Sequence, residues 1–455
     1  MPARRLFLVL GILTVLTIGA VADTRVAAAV LVSDALLLGL FAFDLRRARR
    51  TVLSARRFWP PLLVQGSPGP LRLEVSNPSR RQVEIQLREG LHPYLAPSPL
   101  RHRLRLPAGE SKAWNHDLIP LHRGEVEVAP LTVRVLGPWK LAWSQRDLLP
   151  REGQRIFPQV RWQGRVGQLL ALAQRHQLGT MPLTWHGAGS EPYALREYYP
   201  GDPLNRIHWK STARHGRLIS REDTWERGAR LVILLDAGRA MTSLATSERE
   251  SQTQRSKLDH ALAAALALTR VAAARGDRVT LVAFSDRIDQ VVRVAQGSRG
   301  IAQAYGALYD LKARLVEPAF DLAAEQALGA ESRSATVVVF TSVVDLAAAE
   351  LLRDSLLRLE SRHRPLLINL EDPQIRDLAA EPPRRPEDAF AQVAALEIVL
   401  ANRRLAGRLR RAGVRVVNTP ADRLALETLE AYLALFRGRR TTSVRAERSG
   451  AAGAF

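Results

Sequence analysis

Two long apolar runs at the start of the chain predict a pair of membrane-spanning helices. Residues 6–22 carry no charge, and residues 26–43 are interrupted only by Ser33 and Asp34. Each run approaches the roughly 20 residues that a helix needs to cross the hydrocarbon layer. Because the loop between them is so short, we expect a tight transmembrane helical hairpin over residues 1–50. The alternative for the first run is a cleaved signal peptide, since basic residues precede it and small residues end it.

Arginines near the ends of these runs predict their orientation, because basic residues favour the cytoplasmic side. Arg4 and Arg5 precede the first run, and several more arginines lie between residues 46 and 57. The connecting loop holds Arg25 alone. We therefore expect a bacterial inner-membrane protein with two spans and with both termini in the cytoplasm.

The pattern changes three times along the rest of the chain. Residues 60–160 alternate apolar and polar positions in short stretches broken by Pro and Gly, which predicts a small antiparallel β-sandwich. Residues 161–229 form a linker and a polar, aromatic-rich motif. Residues 230–437 alternate buried-strand runs with helices, which indicates a doubly wound, Rossmann-like α/β domain. Residues 438–455 lack core side chains, so the multidomain chain is predicted to end in a disordered tail.

Composition removes several classes of function. The 455 residues contain no Cys, which excludes disulfides, thiolate metal sites, iron–sulfur clusters and cysteine nucleophiles. The net charge of +21 comes almost entirely from arginine. These arginines are interleaved with acidic residues and do not form one basic stripe with stacking aromatics, so we expect no nucleic acid as partner. Acidic lipid headgroups of the inner membrane are the simpler partner for the clusters near the spans.

Familiar enzyme motifs are absent from the sequence. It has no phosphate-binding P-loop, no nucleophile elbow, no zinc-binding HExxH helix and no dinucleotide-binding GxGxxG after a strand. We therefore expect no catalytic residues and no cofactor. Two alternatives stay open. One is a hydrolase using Asp202, Glu197 or His208 in a cleft between motif and sheet, and the other is a basic protein that binds membrane surfaces or nucleic acid.

The densest group of charged and aromatic residues spans 193–226. Its Pro-Gly-Asp-Pro turn at 200–203 suits a tight turn, because Pro fixes φ and Gly tolerates positive φ. We expect Ile207 and Trp209 to face inward, while Arg206 and Lys210 face outward or pair with the acidic residues. On physical grounds alone this segment is a surface turn packed on the sheet.

The same segment resembles the signature of the bacterial family called domain of unknown function 58. In this sequence the pattern runs Leu-Arg-x-Tyr-x-Pro-Gly-Asp over 195–202 and Arg-Ile-x-Trp-Lys over 206–210, and a strand follows that closes on Asp236. The resemblance implies a membrane-tethered scaffold or adaptor that works with a MoxR-type AAA+ ATPase in the maturation of client proteins. It also implies a C-terminal domain similar to von Willebrand factor type A. The motif residues expected to bind partners are Arg196, Tyr198, Gly201, Asp202, Arg206, Trp209, Lys210 and Arg214.

Many von Willebrand A domains hold a divalent ion through an Asp-x-Ser-x-Ser loop and a later Asp. The positions that correspond in this sequence form a degenerate rim of Asp236, Gly238, Ala240 and Ser342. Both hydroxyls of the loop are missing, and Ser342 stands where the later Asp is expected. One carboxylate with no matching hydroxyls holds Mg²⁺ poorly, so we expect no metal. We expect the rim to bind a partner through Asp236, with Arg239 as an anion contact.

Overall fold

A computed structural model gives a mixed α/β protein. It describes residues 2–20, 24–96, 100–160, 164–177, 194–198, 207–222, 229–245, 255–383 and 385–437. The chain divides into two compact units, one formed by Met1–Gln159 and the other by nearly all residues from Val160 onward. The predicted tail at 438–455 lies outside the described residues.

The first unit begins with two helices that pack against each other, α1 (Arg4–Ala20) and α2 (Thr24–Arg49). Large apolar side chains on both are exposed, among them Phe7 and Leu31. Within the described residues, the stretch Ala28–Arg49 is long and apolar enough to cross a membrane. One candidate span near the N-terminus is thus shown, and the two-span hairpin stays a prediction.

Eleven mostly antiparallel strands follow in the described part of the first unit. They are β1 (Ser54–Phe58), β2 (Leu63–Val64), β3 (Gly69–Ser76), β4 (Val83–Glu89), β5 (Leu95–Ala96), β6 (Leu100–Leu106), β7 (Ser111–Pro120), β8 (Gly124–Val128), β9 (Leu131–Leu136), β10 (Trp143–Leu149) and β11 (Glu152–Phe157). Their sheets have the orders β1-β3-β7-β5, β10-β9-β4-β6 and β2-β11-β8. Because side chains alternate along a strand, the apolar positions of these sheets collect on one face of each and form the core.

The largest core of this unit joins the first two sheets. Leu73 and Val75 of β3 pack in the same cluster as Ile85 and Leu87 of β4. Beside it lies a buried ion pair in which Arg57 Nη2 is 2.7 Å from Glu89 Oε1, with both side chains almost fully enclosed. Burial raises the pKa of Glu89, although the Arg57 guanidinium opposes that shift. The pair therefore holds a carboxylate that would be costly to bury alone.

The second unit contains a six-stranded sheet with helices around it. Its described elements are α3 (Arg165–Gln177), β12 (Ala194–Glu197), α4 (Trp209–His215), β13 (Ile219–Glu222), β14 (Arg230–Asp236), α5 (Lys257–Ala274), β15 (Arg278–Phe284), β16 (Ile288–Val294), α6 (Ser298–Leu308), α7 (Phe320–Ala330), β17 (Thr336–Thr341), α8 (Leu346–Glu360), β18 (Arg364–Glu371), α9 (Pro373–Ala380), α10 (Pro386–Arg411), β19 (Arg415–Pro420) and α11 (Leu424–Arg437). The sheet order is β16-β15-β14-β17-β18-β19, and every neighbouring pair is parallel except β15 with β16.

Two apolar clusters flank this sheet and fix β14 at its centre. One holds the buried stripes of α5 and α11 together with Leu169 and Leu170 of α3, and the other holds those of α7, α8 and α10. Ile233 of β14 lies in the first cluster and Val232 in the second. Because β14 is buried on both faces, its carboxyl end at Asp236 is held rigidly at one edge of the sheet.

Candidate functional site

The signature motif folds, as far as it is described, into a hairpin with a short helix inserted. β12 pairs antiparallel with β13, so that Arg196 lies opposite Ser220. The hairpin continues where Tyr198 N donates to Leu218 O at 2.9 Å. Ile207 forms an isolated bridge with Ser220 and is buried. Ile207 is therefore the inward anchor that the sequence predicted.

Helix α4 is held by its ends. His208 caps its first turn, with Nδ1 accepting from Ser211 N at 3.2 Å, and Gly216 ends it with a left-handed φ of 66°. Thr212 Oγ1 accepts from Ile219 N at 3.0 Å, which ties the helix to β13. His208 therefore has a structural role as the cap of this helix.

Trp209 points away from the core, so the expectation that it faces inward is wrong. Its side chain is 66% exposed at the first position of α4, whereas the flanking Ile207 and Ile219 are buried. Lys210 of the same helix is exposed, as expected, and Arg214 is exposed as well. The described part of the motif therefore presents an aromatic ring and two cations on one short helix.

The remaining motif residues are only partly described. Arg196 has its backbone in β12, while its side chain lies outside the described part, and Tyr198 is half-buried. Gly201, Asp202 and Arg206 lie outside the described residues. Among the residues considered for hydrolysis, Glu197 is occupied by Arg217 at 2.9 Å. Neither Glu197 nor the capping His208 is therefore placed as a free general base.

At the sheet edge, Asp236 is enclosed by its own loop and by β17. Gly238 N donates to Oδ1 at 2.7 Å and Thr341 Oγ1 donates to Oδ2 at 2.6 Å. Burial raises the pKa of Asp236 to about 6, an effect that these two hydrogen bonds only partly offset. The side chain is 1% exposed, so Asp236 cannot contact a partner as the sequence suggested.

Beside it lies a buried ammonium group that the sequence reasoning missed. Lys257 Nζ, at the start of α5, donates to Ser342 Oγ at 3.2 Å and lies 3.5 Å from Asp372 Oδ2. Ser342 Oγ donates in turn to Leu370 O at 2.9 Å. Burial lowers the pKa of Lys257, while Asp372 opposes the shift. A cavity of about 140 Å³ adjoins this group. The sequence held one indication that this residue has a specific role, because Lys257 is one of five lysines in a chain that otherwise uses arginine.

A serine beside a lysine invites comparison with Ser–Lys hydrolases, in which a neutral amine takes the hydroxyl proton. The geometry here does not supply that step. The hydroxyl proton of Ser342 is directed at the Leu370 carbonyl. Asp372 Oδ2, 3.5 Å from Lys257 Nζ, favours the charged form of the amine, which is the wrong form for a general base. The arrangement is a satisfied polar network that joins α5 and β17 to the segment following β18.

The residues at this edge do not fit a divalent ion. Both oxygens of Asp236 already accept hydrogen bonds, Ala240 offers no ligand, and Ser342 is engaged by an ammonium. Arg239, expected to be an anion contact, is paired with Glu317 at 2.8 Å and Asp345 at 2.6 Å. Across the described residues, no group of three or more His, Asp or Glu side chains is placed to hold a metal.

Comparison with known families supports the motif. The family model described as "Protein of unknown function DUF58" matches residues 194–419, which include the hairpin, α4 and the sheet from β14 to β19. This confirms the family resemblance for that stretch. No curated protein matches the chain.

Solved structures give only distant likenesses. The CARDB domain of a Pyrococcus furiosus protein in complex with di-metal ions is 12% identical, with 23% of this chain and 88% of that chain covered and a TM-score of 0.19. A beta-glucuronidase of Bacteroides uniformis is 9% identical, with 80% and 33% covered and a TM-score of 0.16. A GH20 exo-beta-N-acetylglucosaminidase of Vibrio harveyi is 11% identical, with 80% and 75% covered and a TM-score of 0.20. TM-scores this low carry no argument about fold or function.

Proposed function

We propose that this protein is a membrane-anchored scaffold or adaptor on the cytoplasmic face of the bacterial inner membrane. It docks a MoxR-type AAA+ ATPase and its client proteins and carries out no reaction of its own. The observation that carries the proposal is the exposed Trp209 on α4, the helix that also carries the exposed Lys210 and Arg214.

Docking through Trp209 follows from what exposed tryptophans contribute. Trp and Arg are enriched among the residues that dominate interface energies, so an exposed Trp on a helix that also carries Arg214 is suited to an interface. The helix that carries Trp209 is capped at both ends, so the ring is presented on an ordered backbone. Lys210 and Arg214 favour an acidic rim on the partner.

Anchoring is supported by the way in which α2 joins the β-strands of its own unit. Asp44, fully buried at the end of the apolar stretch, accepts backbone hydrogen bonds from Trp139 at 2.9 Å, Leu141 at 2.9 Å and Ala142 at 3.0 Å. The Trp139 ring stacks on Phe43 with centroids 4.9 Å apart. Aromatic rings and arginines at the end of a span suit the headgroup layer. We take α1 as the second span of the hairpin.

The second unit supports a role without chemistry. A mostly parallel sheet with Asp236 at the end of its central strand is the arrangement expected of a von Willebrand A-like domain. Its edge is closed by Thr341 and by the Lys257 network, so the side chains there are engaged with one another. Such an edge stabilises the fold, and the exposed side chains of α4 are the ones available to contact a partner.

Co-purification tests the proposal. The tagged full-length protein is recovered from detergent-solubilised membranes, and the MoxR-type ATPase that accompanies it is quantified by mass spectrometry. Trp209→Ala is expected to reduce that recovery about tenfold, the effect of losing one interface hot spot of roughly 1.4 kcal/mol. Leu351→Ala, an equally exposed apolar site on α8, serves as the control. Equal recovery from both variants, or no ATPase with the wild type, would refute the proposal.

A further inference from the structure

The outward face of the sheet β10-β9-β4-β6 carries a cleft lined by arginines. Its volume is about 670 Å³, and Arg88, Arg101, Arg103 and Arg134 are among its lining residues. The strand register explains why they meet. Arg103, Gln86 and Arg134 stand side by side on β6, β4 and β9, and Arg101, Arg88 and Thr132 form the next row two residues along. Residues two apart in a strand share a face, so both rows point the same way.

The positive charge of this cleft is only partly compensated. Glu84 accepts from Arg103 at 2.7 Å, and this contact lowers the pKa of Glu84. Arg134 is bound to the neutral Gln145 at 2.8 Å. Among the described residues, Arg88 and Arg101 have no acidic partner although they lie directly opposite each other. Like charges directly opposite each other destabilise a sheet. An anion bound between the two guanidinium groups would make the electrostatic contribution of this pair stabilising.

Strand β6 stands at the end of its sheet. In the described part of the chain it pairs only with β4, so its other backbone edge has no strand partner there. Its outward residues Arg101, Arg103 and Arg105 repeat every second position, a spacing of roughly 6.8 Å. An extended peptide with acidic residues at alternate positions has the same repeat. Arginines on an edge also repel basic strands, so the partner segment that this edge favours is acidic.

We propose that this cleft, defined by Arg88, Arg101, Arg103 and Arg134, binds an extended acidic protein segment that carries carboxylates at alternate positions. Guanidinium groups bind carboxylates through paired hydrogen bonds, which gives the site its geometry as well as its charge. The lining offers no Trp, Tyr or Phe on which nucleic-acid bases could stack. The inference rests on the proposed scaffold function and names the chemistry of one partner, at a surface separate in sequence from Trp209.

Peptide binding to the full-length protein in neutral detergent micelles tests this inference. A fluorescein-labelled peptide of alternating Glu and Val is titrated by fluorescence anisotropy against a peptide of the same composition with its Glu residues in one block. The alternating peptide is expected to bind at least several-fold more tightly. Arg88→Ala with Arg101→Ala is expected to weaken its binding about tenfold, the effect of losing two exposed charge-assisted contacts.

A matched control and three competitors decide the outcome. Arg80→Ala with Arg81→Ala removes the same charge from an exposed turn outside the cleft and is expected to leave the affinity within about twofold. Equal loss in both double variants, or equal binding of the two peptides, overturns the inference. It is also overturned if inorganic phosphate, anionic phospholipid vesicles or single-stranded DNA displace the peptide more effectively than unlabelled peptide does. Each variant is also tested for recovery of the ATPase, because failure of the scaffold proposal affects that recovery and failure of the cleft does not.

Discussion

The buried carboxylate of Asp44 joins α2 to the turn between β9 and β10. A substitution in the helix or in the turn can remove this contact. Asp44→Ala removes a buried carboxylate that accepts three backbone hydrogen bonds, from Trp139, Leu141 and Ala142. Each hydrogen bond to a charged acceptor contributes about 1.5 kcal/mol or more, so we expect the turn to lose about 4 kcal/mol of local stability. Asp44→Asn keeps one acceptor oxygen and is expected to lose about half of that.

Gly137 makes the test sharper. A Cβ at this position would overlap the Asp44 carboxylate, so Gly137→Ala is expected to displace it and to reproduce the loss caused by Asp44→Ala. Hydrogen exchange of the turn amides, followed by mass spectrometry on the protein in nanodiscs, measures the effect. A loss of about 4 kcal/mol corresponds to roughly 1,000-fold faster exchange.

The double variant and a control decide the reasoning. Asp44→Ala with Gly137→Ala should exchange no faster than either single variant, because both changes remove the same contacts. Asp147→Ala, at the far end of the same hairpin, should leave the turn amides unchanged, since Asp147 accepts from the Thr132 hydroxyl instead. Additive losses in the double variant, or unchanged protection in Asp44→Ala, would show that the carboxylate does not hold the turn.

Two further expectations concern buried charge. The raised pKa of Asp236, about 6 against a usual 3.8, means that the folded state favours the protonated form. The stability that this group contributes is therefore complete below about pH 4 and decreases by about 3 kcal/mol as the pH rises through 6 to about 7. Asp236→Asn should remove this pH dependence from the hydrogen exchange of β14. A pH dependence that persists in the variant would refute the assignment of the effect to Asp236. Arg57→Met should destabilise the first unit by about 3 kcal/mol at pH 7, because Glu89 would be buried without its partner. The loss should shrink in acid as Glu89 takes up a proton, and urea unfolding that is unchanged at pH 7 would contradict it.

The sequence predicted correctly those helices and strands whose own hydrophobic pattern determines them. Strand β14 and helix α5 follow directly from their apolar runs, and the antiparallel strands of the first unit follow from alternation. The edge strand β16 was missed because IDQVVRV is short and half-polar, which is typical of a strand exposed on one side. Helices α7 and α9 were not predicted, and in both cases Pro lies at or just before the first turn, where it is compatible with a helix.

The site shows where a linear pattern is insufficient. Trp209 was expected to face inward together with Ile207, but only Ile207 is buried and Trp209 is exposed. The Lys257 contact with Ser342 joins residues 85 positions apart, and only the packing of α5 on the sheet brings them together. The arginine cleft depends on cross-strand register, which alternation alone does not fix.

The ammonium of Lys257 is attached to its own chain and cannot dissociate. A rim held together by a free cation would change as the supply of that ion changed. A charge attached to the chain stays in place when that supply varies, and chelating agents do not remove it. The contacts of Lys257 with Ser342 and Asp372 are therefore independent of any ion supply.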